Sequence, residues 1–158
     1  MKELYLIRHA EAESPLGLPD FDRPLSSHGR HTAEQLARAE AHVLANAEAV
    51  FASASLRTMQ TAQLVAQTAG LWAEVQSERF MYMAQADQIL DWLAAQPDDL
   101  GAVLLVGHNP TMYELARSLG VRIDGFPKGG MVAMRFKTKH WADIGSENRV
   151  AQRISFAT

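Results

Sequence analysis

Cysteine is absent from this chain, which excludes disulfides, thiolate metal sites and cysteine nucleophiles together. Long apolar runs are missing too. No segment approaches the roughly 20 apolar residues that span a bilayer as a helix. The apolar run near the N-terminus is short and interrupted at once by Arg8, unlike a secretory signal. Neither GxxxxGKS/T nor GxGxxG occurs, so nucleotide loops of those kinds are unsupported. Positive charge is not in excess: 15 Lys and Arg stand against 18 Asp and Glu, net −3. That leaves no basic footprint for nucleic acid, and Trp72, Trp92 and Trp141 are scattered rather than grouped as a base-stacking platform. Of the six histidines, His28, His31, His42 and His140 fall in loop or exposed helical positions and read as solvated. No HxxxH pair occurs, and His28 with His31 lacks a third ligand nearby. The absences predict a cytoplasmic protein with no metal, no cofactor, no nucleic acid and no membrane partner.

What remains is ordinary globular material. Hydrophobic residues make up 47% and charged residues 21% of 158 positions, enough for one domain over 1–158 with a real core. Residues 3–7 read as a short buried strand, and a Pro-, Gly- and Asp-rich loop runs from Ser14 to Asp22. Ser26 or Ser27 caps a helix in which Ala33, Leu36, Ala37 and Leu44 recur at helical spacing. AVFAS (49–53) reads as a second strand. In the helix after it Met59, Ala62, Ala66 and Ala69 share a face, with Gly70 as the stop. Residues 72–83 carry no clear period. A helix is predicted from Ala84 to Ala95 on an Ala86, Ile89, Leu90 and Leu93 stripe. AVLLV (102–106) is apolar without alternation, as in a strand covered on both faces. It leads into a helix with Asn109 as N-cap, Pro110 in the first turn, Met112, Leu115, Ala116 and Leu119 inward, and Gly120 at the stop. MVAMRF and RVAQRISFA alternate more and suggest two antiparallel strands near a sheet edge. Met59, Met81, Met83, Met112, Met131 and Met134 read as core filler. The alternation of strand and helix predicts an α/β fold, a three-layer α/β/α sandwich with a mainly parallel central sheet and antiparallel edge strands.

Such folds place their sites where strands end and helices begin. The first strand ends in Arg8-His9, the second is followed by Ser53 and then Arg57, and AVLLV ends in Gly107-His108-Asn109. If these strands are neighbours, two arginines and two histidines converge. Two guanidinium forks suit a phosphoryl group, because each binds two oxygens in a plane. Taken singly, Arg57 reads as a surface or capping arginine and His108 as a helix cap; one shared pocket accounts for all four residues.

At these residues the sequence resembles the histidine phosphatase superfamily, also called phosphoglycerate mutase-like, and more closely its small SixA-type phosphohistidine phosphatases. The likeness rests on LIRHAEA, DFDRPLSSHGRHTA, SASLRTMQTAQLVA, VLLVGHNPTMYELA and GFPKGGMVAMRF, in the expected order along most of the chain. It implies that His9 is the nucleophile that becomes transiently phosphorylated, that Arg8 and Arg57 bind the phosphoryl oxygens, and that His108 contacts the phosphate. The chain departs from the family in two places. Where ester-cleaving members supply a carboxylic acid, this sequence has Met83, with Glu78 and Asp87 as nearby candidate acids. Lys128 stands where a small polar residue is expected, either at the pocket rim facing an acidic partner or as a solvated loop residue.

The missing acid favours a phosphohistidine substrate, whose imidazole departs more readily than an alkoxide. The expected activity is therefore a metal-independent phosphohistidine phosphatase. Its substrate would be a phosphorylated protein of the histidine phosphotransfer type, and inorganic phosphate its product. The alternatives are a phosphatase of small esters or anhydrides using Glu78 or Asp87, and a phosphate-binding module with little turnover.

Overall fold

The computed structural model of this chain describes residues 1–156. Its frame follows from the two unalternating runs, which form the middle of β1 (Lys2–Arg8) and most of β4 (Ala102–Gly107). A strand that is apolar on both sides needs cover on both sides. β1 and β4 lie side by side and parallel, Leu4 opposite Val103 and Ile7 opposite Val106. β2 (Ala49–Ser53) pairs parallel with β4, and β3 (Val75–Glu78) pairs parallel with β2. Beyond β1 come β5 (Met131–Phe136) and β6 (Arg149–Ser155), each antiparallel to its neighbour. The resulting order is β3-β2-β4-β1-β5-β6.

The two faces of this sheet bury separate clusters. Tyr5, Ile7, Val50, Leu104 and Val106 pack under α1 (Ser27–Ala39), α2 (Ala41–Leu44) and α3 (Leu56–Ala69). Leu4, Leu6, Phe51, Val103 and Leu105 pack under α4 (Ala86–Ala94), α5 (Thr111–Ser118) and the 3-10 turn Trp141–Asp143. Each such aliphatic side chain contributes about 1.5–3 kcal/mol on burial, so the central strands are the best-anchored part of the molecule. This is the three-layer α/β/α architecture with antiparallel strands at one edge.

Local departures from the expected elements have physical reasons. The helix expected to run through Leu44 breaks at Glu40, which is 3% exposed and receives Arg153 Nε and Nη2 from β6 at 2.6 and 3.2 Å. A buried carboxylate is tolerated only when paired, and the break sits at that pair. The illegible segment holds β3 and a 3-10 turn, Arg79–Tyr82. β3 is a four-residue edge strand whose side chains are half-buried or exposed, so it carries no apolar signal. The buried face of α3 is Thr58, Thr61, Ala62, Val65 and Ala66, while Met59 and Ala69 are only half-buried. Helix α5 begins at Thr111 with Pro110 at its cap. Asn109 still serves that helix end, its Oδ1 accepting from Tyr113 N at 3.2 Å. Met83 is not core filler: it is 82% exposed, just past the 3-10 turn. β6 stops at Ser155, and Ala157, the last residue of the predicted strand, lies outside the described residues. Among the described residues no helix is long and apolar enough to cross a membrane.

Candidate active site

The adjacency of β2, β4 and β1 brings the three strand ends to one place, as the sequence pattern required. The backbone around His9 is held on all sides. His9 N donates to Gly107 O at 3.0 Å, and Arg8 N donates to Gly130 O at 3.2 Å. Gly129 N donates to the carbonyls of Arg8 and His9 at 3.0 and 3.2 Å, at a positive φ of 73° that suits glycine. Ala10 N donates to Thr61 Oγ1 at 3.1 Å, and the Thr61 hydroxyl donates in turn to Arg57 O at 2.8 Å. The buried threonine of α3 thus ties the His9 loop to the start of the helix that carries Arg57.

The imidazole of His9 is 7% exposed. Its Nδ1–H donates to the Ala10 carbonyl at 2.7 Å. A carbonyl oxygen can only accept, so the proton belongs on Nδ1 and Nε2 keeps its lone pair. The same assignment follows from Arg57, whose Nε donates to His9 Nε2 at 3.4 Å. Burial is the main cause that pushes His9 down to about 3; the hydrogen bond to Ala10 O opposes it, and the nearby His108, Arg57 and Arg8 add to it. His9 is therefore a neutral imidazole at physiological pH.

His108 is held in the same protonation state by a different set of contacts. Its ring packs edge-on against His9 with centroids 5.4 Å apart. Arg57 Nη2 donates to Nδ1 at 3.5 Å, so the remaining ring proton sits on Nε2 and is donated to Ser53 Oγ at 2.8 Å. Burial first, then Arg57 and Arg8, push His108 down to about 4. Arg57 is buried at the centre of the cluster, its Nε–Nη2 edge turned to the two histidines. Arg8 donates Nη1 to Phe126 O at 3.0 Å. Its buried Nε has no hydrogen-bond partner among the described residues, and burial lowers its affinity for the proton. Two guanidinium groups and two neutral imidazoles at the C-terminal edge of a sheet make a site for a tetrahedral oxyanion, with one imidazole nitrogen free to attack.

A carboxylate other than the two sequence candidates is hydrogen-bonded into the cluster. Asp87 is exposed and accepts from Gln88 N on its own helix, while the half-buried Glu78 ends β3 in register with Ser53. The carboxylate that arrives is Asp20, from the 3-10 turn Asp20–Asp22 in the loop after β1. Its Oδ2 accepts from Arg57 Nη2 at 3.0 Å and from the Tyr82 hydroxyl at 2.5 Å, while its carbonyl accepts from Arg57 Nη1 at 2.7 Å. The Tyr82 hydrogen bond, followed by Arg23 and Arg57, holds the Asp20 carboxyl well below the usual carboxylate range. Asp20 in turn raises the Tyr82 phenol above its ordinary value. Tyr82 also stands edge-on to His108, with centroids 5.6 Å apart, and to Phe21, at 4.9 Å. Neither Asp20 nor Tyr82 was singled out from sequence, because each lies in a segment without periodicity and reaches the site only through the fold. The Asp in DFDRPL, inside the segment that resembles the family, was the available clue. Glu11 and Glu13 are exposed, Glu11 Oε1 accepting from the Ser26 hydroxyl at 2.9 Å. Lys128 is exposed on the loop next to Gly129. Among the described residues no group of three or more His, Asp or Glu side chains is placed to hold a metal ion.

Comparison with known proteins agrees with this geometry. Residues 4–83, which contain Arg8, His9, Asp20, Arg57 and Tyr82, match the histidine phosphatase superfamily (branch 1). An uncharacterised protein of Mycobacterium tuberculosis is 30% identical over 149 residues, 87% of this chain and 91% of its own. Among solved structures, a candidate phosphohistidine phosphatase SixA from Agrobacterium tumefaciens superposes with a TM-score of 0.77 at 30% identity, covering 86% of this chain and 92% of its own. A second SixA candidate, from Nakamurella multipartitia, gives a TM-score of 0.82 at 26% identity over 99% and 97% of the two chains. With an arginine and a neutral histidine emerging from β1 to meet a second such pair, and with that sequence match across them, the chain belongs to the histidine phosphatase superfamily, a family of phosphatases.

Proposed function

We propose that this chain is a phosphohistidine phosphatase that works through a phosphorylated His9. The observation that carries the reading is the protonation state of His9: Nδ1–H is committed to Ala10 O, and Nε2 is unprotonated, its lone pair engaged only by a long 3.4 Å contact from Arg57 Nε. In the first step Nε2 attacks phosphorus in line and the phosphoryl group passes to His9. Arg8 and Arg57 hold its equatorial oxygens, and fixed cations of this kind stabilise the spreading negative charge without reorganising. His108 contacts the phosphoryl group, and its low affinity for a proton rises when a dianion arrives beside it. Water then attacks the phosphoenzyme and inorganic phosphate leaves. In this scheme the two arginines carry the charge neutralisation that a metal would otherwise supply.

The leaving group is argued from Asp20. An alkoxide leaving group needs a proton from a group that holds one at neutral pH. The carboxyl that reaches the site is kept ionised by Tyr82, Arg23 and Arg57, which makes it a poor acid, and among the described residues no hydrogen bond joins Glu78 or Asp87 to the cluster. A phosphorylated imidazole that already carries a proton on its other nitrogen departs as neutral imidazole, with no proton from the enzyme. A phosphorylated protein of the histidine phosphotransfer type is thus the substrate best matched to the site.

The test compares phosphate release from a phosphohistidine peptide with release from phosphoserine and sugar phosphates, for the wild type and His9→Ala. The expected result is a clear preference for phosphohistidine, an acid-labile label on His9 after rapid quench, and loss of both in the variant. Equal or faster turnover of the esters would reject the substrate assignment. Absence of label during active turnover would reject the covalent intermediate.

A further inference from the structure

A carboxylate in a phosphate site is an electrostatic contradiction. Asp20 Oδ2 lies 3.0 Å from Arg57 Nη2, whose Nε is 3.4 Å from the attacking nitrogen of His9. One guanidinium therefore separates a fixed anion from the place where a dianion binds, and like charges at that range oppose binding. The placement is built rather than incidental. Arg57 takes both the backbone carbonyl and the carboxylate of Asp20, Tyr82 donates to the same Oδ2, and Arg23 Nη1 pairs with Oδ1 at 3.0 Å. Phe21 packs on Tyr82 and under Arg79, whose guanidinium carbon is 5.2 Å from the Phe21 ring centre. The Asp20 side chain nevertheless remains 53% exposed, so it borders the opening of the site with accepting capacity to spare.

We propose that Asp20 is a specificity-determining residue that recognises the phosphorylated imidazole itself, by accepting a hydrogen bond from the ring nitrogen that does not carry phosphorus. The inference rests on the phosphohistidine reading and deepens it. A phosphohistidine ring protonated on that far nitrogen is a cation next to its own phosphoryl group, and an ionised carboxylate favours this form. When His9 Nε2 attacks, the new P–N bond forms to His9 and the old P–N bond breaks. The electron pair of the old bond returns to the substrate nitrogen, and the ring leaves as neutral imidazole with its far N–H intact. Without that proton the ring would have to leave as imidazolate. A small dianionic ester brings no such cation and meets only the repulsion. The same carboxylate thereby favours one class of substrate and disfavours the other.

The experiment uses Asp20→Asn, with a phosphohistidine peptide and p-nitrophenyl phosphate as paired substrates. The phenolate of the latter is a weak base that leaves without a proton. The variant keeps an oxygen for Tyr82 and leaves the backbone carbonyl on Arg57. Loss of a hydrogen bond to a charged group is expected to lower kcat/KM for phosphohistidine about tenfold or more relative to whatever change kcat/KM for p-nitrophenyl phosphate undergoes. The alkaline limb of kcat for phosphohistidine is expected at lower pH in the variant, because the bound ring loses its proton more easily. Equal loss on both substrates would show that Asp20 merely positions Arg57, and no change on either, or an unmoved alkaline limb, would equally overturn the proposal. Wild-type failure on phosphohistidine would overturn the substrate reading and this inference with it, whereas wild-type turnover with an undiscriminating variant would overturn this inference alone.

Discussion

Acidification from about pH 7 to about pH 5 is expected to destabilise this protein through the two buried histidines of its candidate site. His9 and His108 are buried as neutral bases, pushed down to about 3 and about 4. In the unfolded chain each imidazole returns to about 6.5. Between those values the unfolded state binds protons that the folded state refuses, so stability falls as pH falls and is recovered above about pH 7. At pH 5 the unfolded imidazole is almost fully protonated and the folded one almost fully neutral. The integrated difference is about 2 kcal/mol for each histidine, or about 4 kcal/mol for the pair. That is a large share of the roughly 5–15 kcal/mol that a domain has. Urea unfolding of the wild type, His9→Asn and His108→Asn at the two pH values isolates the effect, because losses from carboxylates are common to all three. Each variant should lose about 2 kcal/mol less than the wild type on acidification. Equal losses in wild type and variants would refute the reasoning, since they would mean that the histidines take up protons in the folded state.

Two further outcomes follow from the packing around the site. Thr61→Val removes the acceptor of Ala10 N and the donor to Arg57 O; leaving a buried N–H unpaired costs about 1–3 kcal/mol, and the variant should unfold at correspondingly lower urea with kcat reduced more than KM is raised. Gly29→Ala places a methyl 2.0 Å from the Glu11 carbonyl oxygen, against backbone that cannot rotate away; calorimetry should show a loss of about 3 kcal/mol or more, and an unchanged Tm would show that α1 is free to shift.

Much of the fold could be read from local pattern, because the patterns that matter are enforced by burial. LYLI and AVLLV are apolar at every position since both faces of β1 and β4 are covered, and α1, α3, α4 and α5 each bury one stripe. β3 and the 3-10 turn after it were illegible for the converse reason: an exposed edge strand places little constraint on its side chains. The break at Glu40 was equally hidden. It coincides with an ion pair to Arg153, 113 residues away.

The sequence alone determined which residues emerge at the ends of the buried strands. Arg8, His9 and His108 follow directly on apolar runs, and Arg57 lies a few residues past one, so the core fixes where these residues emerge. Tertiary structure alone decided their relations. The order that places β2, β4 and β1 together, the His108 tautomer set by Arg57, and the arrival of Asp20 and Tyr82 all depend on contacts between segments far apart in the chain. Local periodicity reports how a residue meets its own core. It does not report which distant carboxylate will settle on which guanidinium, because that choice is made by loops whose conformation is set by their partners.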